Sequence, residues 1–391
     1  MSDRYYFDHA GTTPAADEVK EAMAPYFSEK FGNPSSIYEE GKQAEKAVNK
    51  ARRQVQKLIN AADEREIIFT GSGTEADNLA LKGTAMALSG RGRHIITSAI
   101  EHHAVLHTCE FLEENLDFEV TYLPVDDKGF FDPARLEESI RPDTILISIM
   151  LANNEIGTIQ PLEELAAIAR EYDIYFHTDA VQAAGQLELD VQSLGVDLLT
   201  LSAHKINGPK GVGALYVKKG TRLIPQMTGG AQERNRRAST ENVPGIVGFG
   251  AAARLAREKL PQKRERLIEM RDRIIDSVSE NIEGVILNGP SEEKRLPNNA
   301  NFCFRQVDGE ALLRELDSRG IAASTGSACT SGSMDPSHVL LALGLEQKLA
   351  LGSLRLTVGE VNTGEDIDYL LEVLPGVIKD LREDPASRVS R

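Results

Sequence analysis

At 391 residues the chain is long enough for a large domain and a smaller one, each with its own core. Its net charge of −16 is spread along the sequence, which argues against nucleic acid or an anionic membrane as the main partner. The first residues lack the basic and apolar blocks of a secretory leader, and no apolar run approaches the about 18 residues of a membrane helix. The three cysteines, Cys109, Cys303 and Cys329, are an odd, sparse set that cannot form a disulfide framework, and no two have metal-ligand spacing. The expectation is a reduced, cytoplasmic protein in which each thiol is either core filler or chemistry.

Taken in chain order, seven β-branched runs predict strands at Glu66–Thr70, His94–Thr97, Phe118–Leu123, Thr144–Ile149, Ile174–His177, Asp197–Leu201 and Val212–Val217. Amphipathic stretches lie between several of them, such as Leu162–Tyr172 after Pro161. Alternation of this kind predicts an α/β fold: a largely parallel sheet covered on both faces, with ligands at the carboxyl ends of the strands. Beyond about Leu255 the texture changes. A charged helix over Pro261–Asn281 is followed by Asn299–Phe304, a helix from Gly309, a strand over Ser353–Val358 and a last helix from Glu365. This predicts a second, smaller α+β domain. The basic cluster Lys263–Arg266 reads as a solvated helix face.

Four segments combine residue types that carry chemistry. In Phe69–Asn78 a strand ends, small residues turn the chain, and a helix begins near Thr74. Its free N–H groups and positive dipole end suit a phosphate, although Thr74 as a plain N-cap explains the segment equally well. In Phe176–Gln182, Asp179 closes an apolar strand and Gln182 lies one helical turn on. A carboxylate at that depth needs a cationic or hydrogen-bonding partner, such as a protonated pyridine, unless it merely caps the next helix.

In Leu201–Gly211, Lys205 follows a buried strand and is backed by a Gly-Pro-Lys-Gly turn. A partly desolvated lysine near other cations makes a Schiff-base nucleophile, whereas Lys210 reads as exposed or phosphate-side. In Ser324–Pro336, Cys329 is flanked by small polar residues, unlike the usual buried apolar cysteine. Cys109, on a helical stretch, and Cys303, alternating with Phe302 and Phe304, have the ordinary core pattern. A phosphate cup, a strand-end acid, a lysine and a loop thiol together specify pyridoxal-phosphate chemistry on a thiol or amino acid.

At this point the chain resembles the cysteine desulfurases of the NifS/IscS type, within the fold-type-I, class V aminotransferase superfamily. The motifs are Phe7–Thr13, Gly32–Ser36, Glu101–His103, Ala152–Gly157, Ser202–Lys205, Gly208–Gly211, Thr240–Asn242 and Gly326–Thr330. The resemblance implies a pyridoxal-phosphate-dependent transferase of fold type I: a large domain over 15–258 with a mainly parallel seven-stranded sheet, and a smaller α+β domain made of 1–14 and 259–391. It implies a homodimer that removes sulfur from L-cysteine, leaves L-alanine and holds a persulfide on Cys329. The acceptors would be an iron–sulfur scaffold or another sulfur-accepting protein.

Position by position, the resemblance makes Lys205 the Schiff-base lysine, Asp179 the partner of the ring nitrogen and His102 the ring-stacking residue that also moves protons. His103, displaced by one, is structural. Asn154 and Gln182 are placed near the ring hydroxyl, and Gly73, Thr74, Ser202 and His204 around the phosphate, with Thr240 reaching it from the other subunit. Arg355 takes the substrate carboxylate, assisted by Asn33 and Asn154. Cys329 is also implied as a transient metal ligand, to a cluster shared with a scaffold partner. The chain departs from the family pattern at Gly11, Ala76, Ala231, Asn235 and Ser239, of which Asn235 and Ser239 bear on the inter-subunit loop. A selenocysteine lyase or aminotransferase would keep Lys205 and Asp179 without needing the Cys329 loop. A non-catalytic scaffold would tolerate the loss of either residue, and both are present.

Overall fold

The computed structural model describes residues 4–326 and 335–383. Among these residues the strands, in chain order, are β1 (Tyr5–Tyr6), β2 (Ile67–Thr70), β3 (His94–Ser98), β4 (Glu119–Leu123), β5 (Thr144–Ser148), β6 (Tyr175–Asp179), β7 (Leu198–Ser202), β8 (Gly213–Val217), β9 (Val285–Leu287), β10 (Asn299–Phe304), β11 (Ile321–Ala322) and β12 (Ser353–Thr357). Seven form one sheet in the order β2-β8-β7-β6-β5-β3-β4, parallel except at β8, which is antiparallel to both neighbours. Each of these seven lies within one or two residues of its sequence expectation.

The strands form because runs such as Thr144–Ser148 and Leu198–Ser202 are buried along their whole length, the pattern of a sheet covered on both faces. Chain order reverses between β3 and β5, a switch point that opens a crevice at the carboxyl ends of the strands. The helix Gly73–Leu88 packs on this sheet through Ala76, Leu79, Ala80 and Leu81. The helix Glu39–Leu58 turns Ala44, Val48, Ala51 and Val55 inward. It lies so close to the helix Val243–Asn281 that a Cβ on Gly250 would stand 2.5 Å from the Ala51 Cα. A side chain there would part the two helices.

A second core surrounds the antiparallel sheet β12-β10-β9. Phe7, Phe302, Phe304, Leu354 and Leu356 pack there with Leu267, Ile274, Ile367 and Leu374. The N-terminal segment is tied to this core by the parallel pair β1–β11 and by a bridge from Asp8 to Thr357. Among the described residues no helix is long and apolar enough to cross a membrane.

Two expectations fail here. The helix expected to begin at Pro261 begins at Val243 and passes through Pro261. A proline removes one backbone bond and costs about 3 kcal/mol, but the turns before it are held by burial of Val243, Ile246, Phe249 and Ala252. Nor is Lys263 on a solvated face. It is 8% exposed, and its ammonium donates to the Gly185 carbonyl at 2.9 Å, pinning the long helix to the loop after β6.

Candidate active site

The crevice holds a cavity of about 260 Å³ lined by Gly73, Thr74, His102, Asn154, Asp179, Gln182, Ser202, His204, Lys205 and Arg355, among others. Most of the site residues expected from the sequence thus meet in one place. Asp179 ends β6 and Ser202 ends β7, and the short turn Ala203–Lys205 carries the lysine directly from that strand end. The helix from Gly73 points its first turn at the same space. Its cap is Ser72, not Thr74: the Ser72 hydroxyl accepts from the Glu75 N–H at 3.0 Å, which leaves Thr74 to line the cavity. A Cβ on Gly73 would lie 3.2 Å from Val181 and 3.3 Å from Ser202, so only a bare backbone fits easily at this helix start.

Asp179 is buried, and one carboxylate oxygen accepts from the Val181 N–H at 2.8 Å. That bond turns the chain after β6, where no regular helix follows, although a single backbone turn from Ala180 to Ala184 spans Gln182. Burial raises the Asp179 carboxyl above the usual carboxylate range, with the Val181 N–H and the Lys205 charge pulling it back. Beside it lies a residue that sequence reasoning missed. Asp77 is 1% exposed, and one of its oxygens has no hydrogen-bond partner among the described residues, His177 standing 3.6 Å away. Burial, followed by the Asp179 charge, pushes its pKa well up. Its only sequence signal is an acid one turn into the helix from Gly73, on the same face. Glu101, also buried, is pushed up to about 8 by burial, against hydrogen bonds from Ser98 and the Met150 N–H. The ground beneath the cavity is therefore rich in acid.

His102 caps the helix His103–Leu116, its Nδ1 accepting from the Ala104 N–H at 3.1 Å, which assigns the ring hydrogen of the neutral form to Nε2. Burial and the nearby Lys205 charge hold it down to about 4, so the ring is neutral. His103 stacks on His107 and approaches His338. Gln182 donates to the Ala10 carbonyl at 3.0 Å, and His204 meets the Thr12 hydroxyl at 3.1 Å. The Lys205 ammonium donates to the Ala10 and Gly11 carbonyls, the latter at 2.7 Å.

Two expected residues are not brought in. Asn33 is exposed, and its side chain accepts from the Ser35 N–H. Thr240 is exposed in a separate cleft with Gly71, Glu233 and Arg237. Cys329, as nucleophile and as metal ligand, lies outside the described residues, and among those described no cluster could hold a metal ion. Cys109 and Cys303 are buried, and burial pushes both thiols up, away from the reactive thiolate.

A flat ligand with an anionic tail, a basic ring nitrogen and a carbonyl open to an amine would use the helix start, the acid floor and the lysine together. Pyridoxal phosphate is such a ligand, and on a mainly parallel seven-stranded sheet it defines the fold-type-I enzymes. The class V aminotransferase model matches residues 5–370. A cysteine desulfurase IscS of Dictyoglomus turgidum is 56% identical over 382 residues, covering 98% of this chain and 96% of that protein. A solved NifS-like protein superposes with a TM-score of 0.90 at 37% identity, covering 96% and 100% of the two chains. SspA, solved in complex with cysteine, does so at 0.80 and 38%, covering 90% and 98%. The chain belongs to the class V aminotransferase family and, within it, to the pyridoxal-phosphate-dependent cysteine desulfurases.

Proposed function

We propose that the protein removes sulfur from L-cysteine, leaving L-alanine and a persulfide on Cys329. The observation that carries this reading is the convergence of Lys205, Asp179 and the helix start at Gly73 on one cavity, with Arg355 in its wall. Pyridoxal phosphate, when bound, would supply an electron sink for the electrons released at the substrate α-carbon. Lys205 would hold it covalently and, once displaced by the substrate amine, take the α-proton. Asp179 would meet the ring nitrogen, a cation that satisfies the acid floor. Gly73, Thr74, Ser202 and His204 would hold the phosphate, Asn154 and Gln182 the ring hydroxyl, and neutral His102 the ring face. Arg355 would take the carboxylate by a charge-assisted pair.

The Cys329 thiolate then forms an S–S bond to the substrate sulfur as the substrate C–S bond breaks. The electron pair of that bond stays with carbon, which takes a proton to become the methyl group of alanine. No outside oxidant is needed. The sulfur leaves for a scaffold or other acceptor, where an iron–sulfur cluster could briefly involve Cys329.

The reading includes a homodimer in which Thr240 serves the partner's phosphate site. It is supported by the exposure of Thr240 away from its own chain's cavity, and by exposed Phe27, Phe31 and Ile37. Cofactor and catalytic acid–base groups belong to 15–258, and the substrate arginine and thiol to 1–14 with 259–391. The reading places the protein in the cytoplasm, a reducing compartment that keeps a thiol such as Cys329 free between turnovers.

Cys329→Ala tests the reading. The variant should bind cofactor and cysteine but nearly cease to make alanine, while mass spectrometry of the unreduced wild type after cysteine shows one added sulfur on the Cys329 peptide. Full alanine production by Cys329→Ala would refute the persulfide step.

A further inference from the structure

The guanidinium expected to bind the substrate carboxylate already faces a carboxylate of its own chain. Nη2 of Arg355 donates to an Asp8 oxygen at 2.8 Å, and Nη1 donates to the Asn154 carbonyl at 3.1 Å. The arginine is 4% exposed, lines the cavity, and has a buried Nε with no acceptor among the described residues. Both terminal nitrogens are thus engaged, and only the Nε N–H is unspent. A carboxylate binds a guanidinium best through two parallel bonds. A second carboxylate entering beside Asp8 would be opposed by like charge.

Asp8 can move its side chain while its backbone stays. Its carbonyl accepts from the Tyr6 hydroxyl at 2.9 Å and from the Gly11 N–H at 3.0 Å, and the residue is bridged to Thr357. The carboxylate fills space that exists only because residue 11 is glycine. An ideal Cβ there would lie 2.9 Å from the Asp8 carboxyl carbon and closer still to one oxygen. The same short turn offers the Ala10 and Gly11 carbonyls to Lys205.

We propose that Asp8 is a built-in competitor for the substrate carboxylate, seated on Arg355 by virtue of Gly11 and displaced when an amino acid docks. Asp8 and Gly11 together then set the affinity for ligands that carry a carboxylate. The proposal rests on the reading of Arg355 as the carboxylate site.

The test titrates the holoenzyme with L-alanine, and with ethylamine as the ligand lacking a carboxylate, following the spectrum of the bound cofactor. Asp8→Asn removes the competing charge, and Gly11→Ala pushes the Asp8 side chain off Arg355. Each should tighten L-alanine about threefold to tenfold and leave ethylamine unchanged. Weaker or unchanged L-alanine binding in Asp8→Asn would overturn the proposal, by showing that Asp8 orients Arg355 or does nothing. Arg355→Lys separates the two levels: if it leaves the preference for L-alanine over ethylamine intact, the carboxylate reading itself is wrong and the proposal falls with it. Should Gly11→Ala fail to fold, Asp8→Asn and Asp8→Ala still decide the matter.

Discussion

The wall of the cavity that carries Asp179 and Lys205 comes from adjacent strands of one parallel sheet, whereas the wall with Arg355 and Asp8 joins β12 to a segment 347 residues away. On the first wall, register fixes the geometry: Asp179 stands beside Thr200 across β6 and β7, and the lysine follows shortly after that strand. Strands buried on both faces cannot slip without exposing their apolar residues, so that wall is rigid before any ligand arrives. On the second wall, Arg355 and Asp8 stand on the same core and meet through a side-chain bond that can be exchanged for a ligand, while the Arg355 bond to the Asn154 carbonyl reaches across to the other core. On the proposed reading, cofactor holding falls to the first and substrate exchange to the second.

The largest effects should follow from breaking the first wall. Lys205→Ala should abolish turnover and remove the absorbance that borohydride bleaches in the wild type, with Lys210 unlabelled. Labelling of Lys210 with Lys205 untouched would reverse the assignment. Asp179→Ala comes next. It would leave the ring cation unpaired at a buried site, a loss of about 3–5 kcal/mol, read as fast cofactor release on dilution and near loss of turnover. Normal cofactor retention would mean that Asp77 or Glu101 serves instead.

The second wall should give a smaller and different effect. Arg355→Lys keeps the charge but loses the planar fork, so KM for cysteine should rise about tenfold while cofactor retention stays at the wild-type level. A matching loss of cofactor would show that the two walls are not separable.

This contrast also decides what can be read in the sequence. The first wall is legible because each of its parts is a local pattern: an apolar run ending in Asp179, another ending before Lys205, small residues before a helix. The converging residues follow from those patterns and from the family resemblance. Asp8 lies within the Phe7–Thr13 motif, but no local pattern points to its partner, which is 347 residues away. Asp77 is hidden for another reason: its depth depends on the helix packing against the sheet, which no short window encodes. Pro261 argues for a helix boundary unless tertiary packing overrides it, and here packing does. Lys263, inside the same helix, is buried by that packing and not by any property of its own segment.

The smallest expected effect lies in the segment between Gly229 and Asn242, where local sequence and backbone disagree. Glu233, Arg234 and Asn235 all have positive φ, and Ser239 has φ +92°. Glu233 is held there by a buried pair with Arg52, at 2.7 and 2.8 Å, and by the Phe69 N–H at 3.0 Å. Arg237 is tied to Glu75 at 2.7 Å, at the start of the cavity helix. Ser239 has an exposed side chain with no such anchor among the described residues; its N–H donates to Gln232 at 3.2 Å. Its strain is therefore removable. Ser239→Gly should relieve about 1–2 kcal/mol of left-handed strain and give back about 0.4–1 kcal/mol through the freer unfolded chain. The balance is a net gain of about 0.5–1 kcal/mol, seen as a small rise in the urea midpoint. Asn235→Gly should gain less, because asparagine already tolerates that region. A fall in the midpoint for Ser239→Gly would show that the serine side chain is engaged in the native assembly, as it would be if this loop meets a partner subunit.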